Sequence, residues 1–479
     1  MSIRPGPCRL SMRAIADPSD ALGRGLASIR GQFQLPESFP APVLAAAQEA
    51  SGRVPAEHVD RTDWPFVTLD PASSTDLDQA FTIEESGSDL LLRYAIADVA
   101  WFVEDGGPID EEAWKRGTTQ YLPDGKAGLY PPVLSEGAAS LLPGGPRPAI
   151  IFTVRVAPDG AARLDAAERA IIRNQAKLAY DSVRSTDLPP GFAELARRIQ
   201  DAEAKRGAAR VNPPAQEIAA IGDGRYDLLF RPPLESEVRN AALSLATNLA
   251  IADLLQANRT GLFRVMAEPD DRAVARLRHA AGGLGLRWPA EATLAEFERS
   301  LDPADPTQAT FMLAIQRSSQ GAGYVPFRES ETPWHAAVAA TYAHATAPLR
   351  RLADRYVVRA ALALANGRAV PSVVSDAFEK LSPVMARADA LGSRIQRAAI
   401  DLAESVILQG REGETFAAVV TEVDHRGARI QLCNLPVVAR VGEANVDPGE
   451  ILHVTLVEAD PDLRTVTFSP VRPGGAERT

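Results

Sequence analysis

The stretch FVTLDPASSTDLDQA, residues 66–80, places Asp70, Asp76 and Asp78 within nine residues, directly after a short apolar run. The run FVTL reads as a strand that ends at a turn signal. Pro71 and the Ser73, Ser74 pair break that strand and fold the chain back. Asp76 and Asp78, two apart on an extended segment, point to the same face. Asp70 sits across the turn, so all three carboxylates converge on one or two ions in this reading. Carboxylates held so close raise each other's pKa and stay ionised only when cations neutralise them. Hard oxygen donors in a small group suit magnesium or manganese. A solvated acidic surface turn is the alternative reading of the same residues.

The segment resembles the DLDDA-type signature of the ribonuclease II (RNB) family of exoribonucleases, and three further stretches resemble that family in the same order. ADVAWFVEDGGPIDEEAWKRGTTQYLP (97–123) carries Tyr121 in a TxYLP element, and AKLAYDSV (176–183) carries Tyr180 in a K-L-x-Y element. TYAHATAPLRRLADRYVVR (341–359) is similar to the family's YxxxTSPIRRYxDL stretch and puts Arg350 at its catalytic arginine. The order of the four matches is more specific than any one of them.

The resemblance implies a hydrolytic 3′-to-5′ exoribonuclease that degrades or trims single-stranded RNA to nucleoside 5′-monophosphates with magnesium, or manganese. It implies metal ligands at Asp70, Asp76, Asp78 and the Gln79 position, and a catalytic role for Asp78 and Arg350. A metal pair activates the attacking water and neutralises the leaving oxygen. The Arg350 guanidinium offers a planar fork matched to phosphate, so lysine would not replace it conservatively. Tyr121 and Tyr180 would stack on terminal bases without reading sequence. Lys177, Arg350, Arg351 and Arg355 would line the RNA channel. Other readings stand beside these. Tyr121 and Tyr180 fit a core position with a satisfied hydroxyl. Arg351, Arg355 and Arg359 fit a solvated helix face paired with Asp354. Pro348, read as the first turn of that helix, would leave free backbone N–H groups for phosphate beside Arg350.

Three departures from the family pattern bear on activity. Gln79 replaces the fourth acid of the signature. NAALSLATN (240–248) has Ala241 and Ala242 where carboxylates are expected, and Glu235 and Glu237 upstream assign no acidic helper. Thr346, Ala347 and Pro348 replace the family's TSP. These departures keep open an RNA-binding protein with a degenerate, inactive RNB domain, and the absence of two N-terminal barrels that would guard the channel keeps open a trimmer of specific RNA 3′ ends such as tRNA precursors.

The chain has 479 residues and a net charge of −11, long enough for about three domains. An acidic balance is unusual for an RNA binder, yet a metal site adds negative charge and a few channel arginines focus a local positive field. No apolar stretch reaches the ~20 residues of a spanning helix, and the N-terminus lacks a secretory hydrophobic region. With only Cys8 and Cys433 there is no disulfide framework or zinc set. A monomer in a reducing cytoplasm, with no membrane association, is the expectation. His335 and His344 are packing or RNA-contact positions with no triad nearby.

The fold class read here is a mixed α/β catalytic domain of the RNB type followed by a small all-β OB-fold barrel. Residues 1–58 form a mostly helical extension of unassigned role, too short for the paired cold-shock barrels of larger relatives. Residues 59–408 form the catalytic domain, mixing strands such as 149–156 with long helical patterns at 236–256 and 372–410. Residues 412–472 switch to short alternating strands between turns at Gly427, Pro448 and Asp460, resembling the OB-fold RNA-binding domain of ribonuclease II relatives. That barrel has few aromatics for stacking, and a purely structural role is its alternative.

Overall fold

The computed structural model describes residues 13–14, 20–208, 215–222, 225–303, 305–319, 321–424, 426–442 and 446–471. Five strands, β1 (Val59–Asp70), β2 (Gln79–Ser86), β3 (Asp89–Ala97), β4 (Pro146–Val156) and β5 (Ala162–Ala179), close into a barrel in that order. Neighbours run antiparallel except β1 and β5, which close the barrel in parallel with Asp70 opposite Ala179. Phe66, Phe81, Tyr94 and Phe152 are fully buried in this core. Each such burial contributes roughly 1.5–3 kcal/mol, so the barrel end is a firm platform. Asp70 is the last residue of β1 and Gln79 the first of β2. The acidic segment is therefore the β1–β2 connection, hung from one barrel rim.

Helix α1 (Glu235–Ala257) packs on the barrel and starts after Pro232 and Pro233, with the Glu237 carboxylate accepting from the Leu234 N–H. Helix α2 (Leu352–Ala365) begins four residues later than Pro348, which lies in the preceding turn. The reading of Pro348 as a first-turn residue is corrected by Asp354. Its buried carboxylate takes the Ala347 N–H at 2.8 Å and the Arg351 guanidinium, so residues 347–351 wrap around it instead of entering the helix.

Helix α3 (Ser372–Leu408) has 37 residues and spans about 55 Å. Its N-terminal half packs into the main core through Val374, Phe378, Leu381 and Met385. Its C-terminal half packs against the helix Ala21–Gln32 through Ile395, Ala399 and Leu402, and Leu408 enters the C-terminal core. That last core lies in a second closed barrel, β6 (Thr415–Asp424), β7 (Gly427–Leu432), β8 (Val438–Val441), β9 (Ile451–Asp460) and β10 (Thr465–Pro470), ordered β6-β7-β8-β10-β9. The small all-β barrel read from the alternating pattern is thus present. Its two phenylalanines, Phe416 and Phe468, are in its interior. Glu404 of α3 ties it down, accepting from Val438 N–H at 2.8 Å and Gln216 Nε2 at 2.6 Å.

Among the described residues no helix is long and apolar enough to cross a membrane. Cys8 lies outside the described residues, as does most of the N-terminal stretch read for a secretory signal. Cys433 carries no free thiol, so cysteine usage does not argue for a reducing compartment.

Candidate active site

The β1–β2 connection meets the turn before α2 through Asp78. Its Oδ1 accepts the Leu349 N–H at 2.7 Å, and its Oδ2 lies 3.4 Å from Arg350 Nε. The backbone N–H that sequence reasoning left free for phosphate is therefore already used. Asp78 is 4% exposed, whereas the Arg350 side chain is 44% exposed, so the pair is a buried acid under an accessible guanidinium. Asp70 is half-buried, and its carboxylate has no hydrogen-bond donor or ion-pair partner of its own among the described residues. Burial pushes both Asp70 and Asp78 up to about 7; nearby Arg350 pulls each back, and Asp76 adds to the rise.

Asp76 is arranged differently. Its carboxylate faces Lys126 Nζ at 2.9 Å and accepts from the Tyr121 hydroxyl at 3.1 Å. Lys126 also reaches Glu136 at 3.1 Å. Among the described residues no group of three or more His, Cys, Asp or Glu side chains is placed to hold a metal ion. The expected convergence of all three aspartates is not seen among the described residues, where Asp76 is engaged by Lys126 and Tyr121 and Asp70 has no such partner. One buried and one half-buried carboxylate pushed up to about 7, the latter without a donor, fit a divalent cation, because a cation stabilises the ionised form that desolvation disfavours.

Gln79 is engaged by protein groups. Its Nε2 donates to the Thr346 carbonyl at 2.6 Å, and its Oε1 accepts from Tyr94 Oη at 2.8 Å and Ser244 Oγ at 3.4 Å. These bonds tie β2 to α1 and to the loop ahead of Arg350.

A cavity of about 720 Å³ opens beside Arg350, lined by Tyr121, Arg351, Arg264, Gln216 and Gln396 but by none of the three aspartates. Tyr121 is 51% exposed there, which excludes the core reading for its ring. Residues 117–119 bring it in, with Thr118 bridging Arg351 and the Thr119 N–H donating to the Arg350 carbonyl at 3.0 Å. Tyr180 follows β5; its N–H donates to the Asp70 carbonyl, and its half-buried ring is held by Asn240 Nδ2 at 2.9 Å from the hydroxyl. Desolvation of the hydroxyls raises the pKa of both tyrosines, so both are neutral; Tyr121 donates to Asp76 and Tyr180 accepts from Asn240.

The remaining cations divide. Lys177 Nζ donates to the Ala72 carbonyl at 2.7 Å, bracing the acidic connection. Arg351 reaches the cavity wall but has its guanidinium on Asp354 at 2.7 Å. Arg355, expected in the RNA channel, is instead 1% exposed and pairs with Asp110 while donating to Tyr356 Oη at 2.7 Å. The helical spacing that suggested a solvated face puts it inside because Asp110 is buried beneath. Glu235 and Glu237 pair with Arg239 and Arg231 and supply no acidic helper. Burial lowers His335 to about 4 and His344 well below its usual value, and His344 Nδ1 lies 2.9 Å from the Tyr324 hydroxyl, which suits packing.

Sequence reasoning missed Lys126, Tyr94 and Ser244, and named Asp354 only as a surface partner of the arginines. Only Lys126 had a signal: the Pro123, Asp124, Gly125 turn folds the chain so that Lys126 pairs across from Tyr121.

Known proteins are similar in sequence and in fold. The RNB domain profile matches residues 58–366, and that of the RNase II-type exonuclease C-terminal S1 domain matches 414–471. Ribonuclease R of Aquifex aeolicus is 26% identical over 433 residues, covering 84% of this chain and 60% of that protein. The chain spans about 60% of the length of such curated relatives. The structure of Mycoplasma genitalium RNase R in complex with ribose methylated single-stranded RNA superposes with a TM-score of 0.84 at 20% identity, covering 94% of this chain and 78% of that one. Yeast Ssd1, described as a pseudonuclease, superposes with a TM-score of 0.66 at 16% identity, covering 93% and 59%.

Proposed function

The chain belongs to the RNB-domain family, and on that premise we propose that it is a metal-dependent 3′-to-5′ exoribonuclease acting on single-stranded RNA. The observation that carries this reading is the pair of buried Asp78 and exposed Arg350 at the edge of a cavity walled by Tyr121. We place domain boundaries near 58 and 410, with the S1-type barrel as an RNA-binding module. Asp70 and Asp78 would hold magnesium or manganese. A divalent ion there would lower the pKa of an attacking water and offset charge on the phosphate. Arg350 presents an accessible guanidinium to the scissile phosphate, and Asp78 keeps that guanidinium oriented from below. Tyr121 offers a ring for a terminal base, and Tyr180, fixed by Asn240, offers an edge.

One experiment tests the reading: 5′-labelled single-stranded RNA incubated with the protein and magnesium, manganese or EDTA, beside Asp78→Asn. Asparagine still accepts the Leu349 N–H, so the fold is kept while the negative charge is lost. Shortening from the 3′ end that needs metal, and that falls at least about a hundredfold in the variant, is the expected result. Equal rates in EDTA would exclude metal dependence. The engaged amide of Gln79 and the ion-paired Asp76 favour one second reading, an RNB fold that binds RNA without turnover, as the pseudonuclease description of Ssd1 illustrates for a similar fold. RNA that shifts on a native gel but stays intact would select it.

A further inference from the structure

Asp76 already carries a cation. Lys126 Nζ lies 2.9 Å from one of its oxygens, and the Tyr121 hydroxyl donates to the other at 3.1 Å. Tyr121 and Lys126 are cross-strand partners in the hairpin of Gln120–Leu122 and Gly125–Ala127, so both side chains arrive on the same side. The hairpin is pinned at its turn, where Arg30 forks onto Asp124 at 2.8 and 3.2 Å. Glu136 holds the ammonium from a second side at 3.1 Å, and the Thr75 hydroxyl in turn donates to Glu136. The Lys126 side chain is 22% exposed, too enclosed for a freely moving surface lysine. Further along the acidic segment, Gln79 contributes no charge, and its amide is bonded to Thr346 and Tyr94. The four carboxylates of Asp70, Asp76, Asp78 and Glu136, set against Lys126 and the Arg350 guanidinium, leave two negative charges, which a single divalent ion balances.

We propose that Lys126 is a built-in counter-cation that withdraws Asp76 from the metal-ligand set, so that this site takes one divalent ion, on Asp70 and Asp78. Lys126 is a positioning residue: it fixes Asp76, and through Asp76 the Tyr121 hydroxyl, without touching the reacting atoms. The inference rests on the metal-assisted reading above and specifies how many ions that reading uses.

The test is a manganese titration of the full chain, counting bound ions by the loss of the free-ion electron paramagnetic resonance signal, with no RNA present. The wild type is expected to bind one ion per chain, Lys126→Arg one, and Lys126→Met two, because only methionine removes the competing charge. A merely structural lysine would not change the ion count. Lys126→Met together with Glu136→Gln, which removes the carboxylate left unpaired, is also expected to bind two and serves if the single variant does not fold. Two ions in the wild type, or one in both methionine variants, would overturn the proposal and leave metal dependence standing. No bound ion in the wild type would remove the metal reading and this proposal together.

Discussion

Gln79 stands where the RNB signature has an acid, and its amide does what an acid cannot. The Nε2 donates to the Thr346 carbonyl at 2.6 Å; a carboxylate there would face that oxygen with no proton to offer. Gln79→Asp is therefore expected to lower stability by about 1–3 kcal/mol and to leave manganese affinity no tighter. Urea denaturation beside the metal titration checks this, and an unchanged midpoint with tighter metal would show the amide bonds to be incidental. Arg355 makes the complementary point. Removing a buried partner leaves the other charge uncompensated, so Arg355→Met should cost about 3–5 kcal/mol through Asp110, which is 5% exposed. RNA affinity, measured by gel shift well below the unfolding midpoint, should stay within about twofold; a large loss would return Arg355 to the channel. The sequence shows four arginines at 350, 351, 355 and 359, but which of them is free depends on carboxylates far along the chain, since Arg359 too is taken, by Asp105 at 2.6 Å.

At the scale of elements, the site is assembled by one short bridge. Thr118 pairs with Arg351, and the Leu352 N–H donates to the Gly117 carbonyl at 2.9 Å, which places the Tyr121 hairpin against the start of α2. Gly117 has φ +71°, and a Cβ there would stand 2.8 Å from Ala388 Cβ of α3. Gly117→Ala should accordingly cost about 1–3 kcal/mol and lower turnover as well, because the bridge carries Tyr121 and Arg350 in register. Thermal unfolding and single-turnover kinetics read the two effects, and normal turnover with a lowered midpoint would separate the bridge from catalysis. The strand before Asp70 and the long helix α3 were legible from local patterns. The bridge was not, since nothing in residues 117–119 says that they meet residues 350–352.

For the whole molecule, the buried acids tie stability to pH and to metal. Folded Asp70 and Asp78 titrate near 7, above the usual carboxylate range, so the metal-free folded state binds more protons than the unfolded one between about pH 4 and 7. Their contribution is present in full below pH 4 and is lost as pH rises through 7. A divalent ion competes with those protons, so the rise in Tm from magnesium should be larger at pH 8 than at pH 6. An equal rise at both pH values would mean that the ion binds elsewhere. The sequence by itself determined what local order can encode: a strand ending in an acidic turn, a C-terminal run of alternating strands, and four motifs in family order. Periodicity and turn chemistry act over a few residues, so those features are readable without the fold. Only the tertiary structure decided which charges remain free, because Asp78 meets Leu349 across 271 positions and Lys126 meets Asp76 from another hairpin. Burial and pairing are properties of such distant contacts, and they give the three aspartates three different surroundings: Asp70 without a hydrogen-bond partner among the described residues, Asp78 under Leu349 and Arg350, and Asp76 on Lys126 and Tyr121.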